Sequence, residues 1–302
     1  MERDRINHIG IWLENHFGDK VVKLSLDGGF TCPNRDGTKG NGGCIFCSPD
    51  GSGELASDIE SQIELLNGKW PKVHKYIAYF QSHTNTYAPP EVLDLKYSRA
   101  LDYHVAGSEI VGLAVATRPD CLSEPVLDLL SEYNKKTFLW VELGLQTIHK
   151  DNINRCYDLS EYDAAVSRLT ERGIRVVSHL ILGLPGETKD DMKKSVEYVC
   201  RPVCENAHIF GIKLHLLNVV KGSAMETMYP DYVPFGSINE YVSLACDMLE
   251  IIPYDVTVHR LTGDVPRSML VSPEWSYKKR TILNGIAHEM KIRNSTQGCR
   301  AL

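Results

Sequence analysis

No stretch of this chain is apolar for anything near the ~20 residues that a membrane-spanning helix needs. The opening residues, MERDRINHIG, lack the apolar centre of a secretory signal and carry charges of both signs. A cytoplasmic protein without a membrane span is therefore expected. Basic charge is not in surplus either. Lys and Arg number 33 against 39 Asp and Glu, a net charge of −6, which argues against indiscriminate nucleic-acid binding. Pro- or Ser-rich linkers and long internal repeats are also missing, so nothing in the composition splits the chain into independent modules. The nine cysteines are an odd number, and without an export signal they are expected to be reduced thiols rather than a disulfide framework.

What is present suits a sizeable globular fold. The chain has 302 residues, 43% hydrophobic and 24% charged, which excludes a disordered tail and leaves room for one large barrel with an appendage. Apolar, β-branched runs at residues 20–26, 76–81, 110–117, 138–145, 175–182 and 209–217 read as strands. Helix-period segments at 56–66, 90–104, 124–134, 160–172 and 189–199 lie between them. The strands are nearly continuous in hydrophobicity, as strands covered on both faces should be. The pattern predicts an α/β fold, a partial (β/α)6 TIM-like barrel over residues 1–235. A small C-terminal α/β extension over 236–302 follows, with a helix at 238–251, a strand at 255–261 and a helix at 275–292. Ser160, with Glu161 and Asp163, is expected to cap one helix, and Gly173 to stop it.

Six cysteines, Cys121, Cys156, Cys200, Cys204, Cys246 and Cys299, are scattered and read as small buried hydrophobes. Cys200 and Cys204 would share a helix face, but Pro202 between them argues against an uninterrupted helix. Cys32, Cys44 and Cys47 are different. They sit together in TCPNRDGTKGNGGCIFC, inside a stretch, residues 27–57, that has eight glycines and little periodicity. A loop that long is usually functional. Three thiolates after the first predicted strand suit a metal ion or an iron–sulfur cluster. A structural zinc site takes four protein ligands, whereas this loop offers three cysteines and no histidine. Zinc would need a remote fourth ligand. Three ligands alone leave one position open for chemistry. The glycines at 37, 40, 42 and 43 allow the backbone to wrap a bulky group, and Phe46 would shield it.

Here the sequence resembles the radical S-adenosylmethionine (SAM) superfamily. The CIFC half of that superfamily's cysteine motif is present at Cys44–Cys47, with a first spacing of eleven residues rather than three. Longer first spacings resemble the branch of the elongator catalytic subunit and its bacterial relatives. Three more segments are similar to that branch: Thr117-Arg118-Pro119-Asp120, the run from Val141 to Thr147, and the run from His179 to Thr188. Each falls at the end of a predicted strand, where β/α barrels collect their active sites. VTVHRLTGDVPRSML, beginning at Val256, resembles the branch's C-terminal domain. No room is expected for the acetyltransferase domain that the elongator subunit carries.

The resemblance implies a [4Fe–4S] cluster on Cys32, Cys44 and Cys47, with SAM chelated to its open iron, and reductive cleavage of SAM to a 5′-deoxyadenosyl radical. It assigns Glu142 to the SAM surface, with Gln146 on the same face by strand alternation. It assigns His179, Gly183 and Pro185 to the adenine side, and Lys213 and His215 to a substrate or SAM-carboxylate contact. The superfamily's Gly-Gly-Glu-like stretch is missing after the second strand, where Gln81, Thr84 and Asn85 would supply polar contacts instead. His215 shares the face of Lys213, while His259, Arg260 and Arg267 would face the barrel mouth. An electron donor of flavodoxin or ferredoxin type is implied. Residues 255–302 hold eight Lys and Arg against four Asp and Glu, so this segment carries +4 and the rest −10. The basic segment suits tRNA as partner. The acidic remainder suits a small metabolite equally well. A zinc-stabilised RNA-binding protein without catalysis is the reading from another class.

Overall fold

The computed structural model describes residues 4–51, 53–104, 107–149, 157–204 and 207–301. Its centre is a seven-stranded parallel sheet. In sheet order the strands are β1 (Val21–Leu26), β2 (Lys75–Phe80), β3 (Glu109–Thr117), β4 (Phe138–Gln146), β5 (Arg175–Leu182), β6 (Gly211–Leu216) and β8 (Thr257–Arg260). β1 and β8 are the two edges, so the barrel is open. All six strands expected from the pattern form. The seventh, placed at 255–261 in the extension, continues the same sheet by pairing with β6 through Gly211–Thr257 and Ile212–Val258.

Alternation along the strands feeds two cores. Residues such as Leu24, Tyr76, Leu113, Val141, Val176 and Ile212 point outward. They pack under α2 (Ile59–Lys69), α3 (Pro90–Leu101), α4 (Glu124–Lys136), α5 (Leu159–Glu171) and α6 (Lys189–Val199). Val21, Ile77, Ala114, Trp140 and Val177 point inward and meet Ile9 and Leu13 of α1 (Ile9–Phe17), a helix the sequence pattern did not announce. This helix plugs the bottom of the open barrel. Val258 N–H donates to Asn7 O at 2.8 Å, and the Trp12 ring lies 5.6 Å from Phe138 and 5.1 Å from Phe210. Leu13→Ala is expected to cost about 2–5 kcal/mol, read as a lower urea midpoint, because the buried side chain leaves a cavity between two sheet edges.

Helices form where they were expected, with α2 beginning at Ile59 rather than 56 and α3 ending at Leu101 rather than 104. The cap of α5 is Asp158 rather than Ser160. Its backbone N–H donates to Glu161 Oε2 at 2.7 Å, forming a capping box, and that motif needs the acidic residue three positions beyond the cap. Gly173, at φ 68°, ends the helix as expected. The closing segment is a short 3-10 turn, Glu274–Tyr277, followed by α9 (Lys279–Ile292), which packs on α8 (Ile238–Ile251). A two-stranded antiparallel ribbon of β7 (Val219–Val220) and β9 (Leu270–Ser272), with the short α7 (Ala224–Met228) between them, was not foreseen. Strands of two and three residues carry no readable period. Cys200 and Cys246 are buried, Cys121 is half-buried, and Cys204 and Cys299 are exposed, so the view of the scattered cysteines as core residues holds for only the first two among the described residues. Cys200 follows the end of α6, so it shares no helix with Cys204. Cys156 lies outside the described residues.

Candidate active site

The loop after β1 folds over the C-terminal ends of the strands. Its local geometry follows from glycine. Gly40 lies so close to Asn34 that an added Cβ would sit 2.2 Å from the Asn34 amide oxygen. Asn34 is thereby buried with its Nδ2 directed at Cys44 Sγ, 3.5 Å away. Gly43, at φ 84°, turns the chain into Cys44, and Cys47 N–H closes a turn on Cys44 O at 3.0 Å. Burial, then the neighbouring Cys47, pushes the Cys44 thiol up to about 12, so any metal bound there must displace its proton.

A second support comes from the end of β3. Arg118 makes a two-pronged contact with Asp120 at 2.9 and 2.7 Å, and its Nη1 points at Cys32 Sγ, 3.7 Å away. Asp120 also receives Lys39, from between Cys32 and Cys44, at 2.6 Å. One buried carboxylate thus ties the cysteine loop to the sheet. Burial pushes the Asp120 carboxyl up, but Arg118 and Lys39 more than reverse this and hold it below its usual range. The clamp's contribution is therefore complete above the unfolded value of about 3.9 and is lost only as pH falls through the lower folded value. Asp120→Asn is expected to cost about 3 kcal/mol in urea unfolding and to lower iron retention, since it removes the buried charge that Arg118 and Lys39 share.

The three cysteines line one open cleft with Gln81, Thr84, Glu142, Gln146, His179 and Lys213. Inside the barrel, Glu142 and Lys213 are both almost wholly buried and form an ion pair. His179 Nε2 lies 2.8 Å from the same Glu142 oxygen, and Trp140 Nε1 donates to the other at 2.9 Å. Lys213 Nζ donates to Tyr79 OH at 2.9 Å. Burial pushes the Glu142 carboxyl up, but the Lys213 ammonium and the His179 hydrogen bond hold it well below the usual range. Burial, then Lys213, pull His179 down to about 4, so it is a neutral ring donating Nε2–H to an ionised carboxylate.

Gln146 reaches the cleft, though not by simple alternation. The register shifts between Gly144 and Gln146, and Gln146 has a left-handed φ of 72°. Three candidates lie outside the lining. Asn85 is buried and its amide donates to Phe80 O and Ala116 O at 3.1 and 2.9 Å, tying β2 to β3. Gly183, at φ 92°, backs onto Pro234 and Phe235, where a Cβ would come within 2.9 Å. Pro185 is buried beside it. Phe46 packs against the cluster of Ile45, Ile181 and Leu217 at the cleft's rim. Sequence reasoning missed Arg35, His83, Tyr157 and Asn218, all of which line the cleft. Tyr157 donates to Gly144 O and lies 5.2 Å from the Arg118 guanidinium. No local pattern marks such residues, because only the fold brings them to the strand ends.

The model of the Radical SAM superfamily matches residues 36–199, and that of the Radical_SAM C-terminal domain matches residues 209–292. The chain belongs to the radical SAM superfamily. The first match begins four residues after Cys32 and includes Cys44 and Cys47. YtqA of Bacillus subtilis (strain 168) is 45% identical over 306 residues, covering 97% of this chain and 92% of that protein. The tRNA uridine(34) acetyltransferase of Dehalococcoides mccartyi (strain CBDB1) is 26% identical over 200 residues, covering 64% of this chain and 40% of that protein. Among solved structures, archaeal Methanocaldococcus infernus Elp3 with an N-terminal deletion superposes with a TM-score of 0.68 at 18% identity. That superposition covers 92% of this chain and 64% of the other, and it shows the shared fold. The chain is thus an enzyme of the radical SAM class, in a branch similar to Elp3, built on the open parallel barrel expected. No helix among the described residues is long and apolar enough to cross a membrane.

The residues fit the cofactors this superfamily implies. Three thiols from one loop face one cleft, and side-chain N–H groups from Asn34 and Arg118 are aimed at two of the sulfurs. Such hydrogen bonds and burial are the protein's means of tuning an iron–sulfur centre.

Proposed function

We propose that this radical SAM enzyme holds a [4Fe–4S] cluster on Cys32, Cys44 and Cys47, cleaves SAM reductively and acts on tRNA. The observation that carries the reading is the convergence of the three cysteines with Gln81, Thr84, Gln146 and His179 on one cleft at the strand ends. The cluster and SAM together supply a hydrogen-abstracting radical at that cleft. The chain's own groups do the rest. Asn34 and Arg118 orient and polarise the thiolates, and Asp120 fixes the loop. Gln81, Thr84 and Gln146 present polar atoms to SAM, and Phe46 keeps water from the cysteines. A flavodoxin- or ferredoxin-type protein supplies the electron.

Two observations support tRNA as substrate. One is the similarity to the tRNA uridine(34) acetyltransferase. The other is a basic and aromatic patch at the C-terminal segment. The Arg267 guanidinium lies 4.5 Å from the Tyr277 ring and Lys278 Nζ lies 5.9 Å from it, and the ring is 42% exposed. Arg267, Lys278 and Arg280 make no ion pair among the described residues, and an exposed ring flanked by cations suits an unstacked base. The segment's +4 charge overstates its reach, because Lys279, Arg293 and Arg300 are paired with Asp264, Asp247 and Glu250.

Anaerobic reconstitution tests the reading, with iron, sulfide and zinc analysis followed by SAM and dithionite. Formation of 5′-deoxyadenosine supports it. Zinc alone after reconstitution replaces it with a structural cysteine loop. Binding of bulk tRNA that weakens steeply with salt supports the substrate assignment, and absence of binding transfers the reading to a small metabolite.

A further inference from the structure

Thiols and phenols are the side chains that give up a hydrogen atom most readily, because their S–H and O–H bonds are weaker than an aliphatic C–H bond. Among the described residues that line the cleft, the thiols are Cys32, Cys44 and Cys47, and the phenols are Tyr79 and Tyr157. The three thiols are the metal ligands of the reading above. Tyr157 donates its hydroxyl hydrogen to Gly144 O, so that hydrogen is committed to the backbone. Tyr79 is placed differently. It points inward from β2 and is 3% exposed, and its oxygen accepts from Lys213 Nζ at 2.9 Å. The same ammonium lies 4.4 Å from the centre of its ring. Burial, then the ionised Glu142, push the phenol well above its ordinary range, so it keeps its hydrogen. Loss of a proton would set a second anion beside Glu142 in a buried place, which is costly. Loss of a hydrogen atom moves no net charge. The oxygen it leaves still accepts from Lys213, so no buried polar atom is orphaned.

We propose that Tyr79 is a hydrogen-atom donor at the floor of the cleft, giving its phenolic hydrogen to a carbon radical formed there and becoming a neutral tyrosyl radical. This rests on the radical SAM reading and adds a redox-active residue of the chain to it. The O–H bond of Tyr79 breaks homolytically and a C–H bond forms on the acceptor. One electron from the flavodoxin- or ferredoxin-type donor and one proton from water then restore the phenol. Lys213 and Glu142 position the hydroxyl and keep it un-ionised, so that it reacts through its hydrogen atom and not as a base.

The origin of the transferred hydrogen is the test, because a merely structural tyrosine would not change it. Anaerobically reconstituted protein is equilibrated in heavy water, where phenolic hydrogens exchange, and given SAM and dithionite without substrate and without a thiol reductant. The carbon radical then available is the 5′-deoxyadenosyl radical itself. Mass spectrometry of the 5′-deoxyadenosine is expected to show one solvent-derived deuterium in most of the product. Tyr79→Phe, with its iron content kept, is expected to lose that label to near background. Should this variant fold poorly, freeze-quenched parent protein decides instead. A tyrosyl EPR signal whose hyperfine splitting collapses in protein grown on ring-deuterated tyrosine supports the proposal, and its absence overturns it. Product without deuterium, or a label that survives in the folded Tyr79→Phe variant, overturns the proposal and leaves the radical reading standing. So does a label lost in Tyr157→Phe and kept in Tyr79→Phe. If no 5′-deoxyadenosine forms at all, the radical reading has failed and the proposal falls with it.

Discussion

Cys44→Ala is expected to reduce the iron of the reconstituted protein from about four per chain to near none, and to abolish 5′-deoxyadenosine formation. The site has three thiols from one loop, and removing one leaves two, too few to hold a cluster with a single open iron. Cys44 is also held by the Asn34 amide, 3.5 Å from its sulfur. The fold should survive. The loop is tied independently through Asp120, so the unfolding free energy in urea should fall by no more than about 1 kcal/mol. Retention of a full iron complement by the folded variant would remove Cys44 from the ligand set. An equal loss of zinc, with iron never bound, would show a structural metal instead.

Lys213→Met should be the most damaging single change to stability, about 3–5 kcal/mol out of a typical total of about 5–15 kcal/mol. Glu142 is fully buried, and the Lys213 ammonium is its main source of compensation. Without it, the buried carboxylate keeps hydrogen bonds from His179 and Trp140 but loses the ammonium it is paired with. The pH dependence gives the sign. In the parent, the folded Glu142 value lies below the unfolded value of about 4.3, so its contribution is present above that pH and lost only as pH falls through the folded value. In the variant, burial dominates and the folded value rises above the unfolded one, so stability is lost as pH increases. Urea midpoints of parent and variant should therefore diverge between about pH 5 and about pH 8. Lys213→Met combined with Glu142→Gln should recover much of the loss, because no ionised group is then left alone. If the single and double variants are equally destabilised, the pair is not the source.

The strand ends were readable because a parallel sheet buried on both faces writes its strands as apolar runs, and a glycine-rich loop interrupts them. Lys213 and His215 could be placed on one face of β6 from period two alone. Gln146 shows the limit of that rule. Alternation places it beside Glu142, and it does line the cleft, but through a bulge and a left-handed residue that the pattern does not contain. Asn85 shows another limit. A polar residue at a strand end reads as a ligand contact, whereas here its amide satisfies two backbone carbonyls. β8 read as part of an extension because a long stretch separates it from β6, yet backbone pairing makes it the seventh strand.

The sequence by itself determined the class of this protein: the βα period, the three cysteines in one loop and the motif order are local features, legible wherever they stand. Tertiary structure alone decided which charges meet. Glu142 with Lys213, Arg118 with Cys32, and Lys39 with Asp120 lie 71, 86 and 81 residues apart in the chain. Pairing at such separations is set by strand order and barrel curvature, and no short-range pattern encodes it. The same reason hides the influence of Lys23 and Arg260 on each other. Lys23 and Arg260 come from opposite edges of the sheet, and their charges act together only because the sheet curls and α1 closes the bottom.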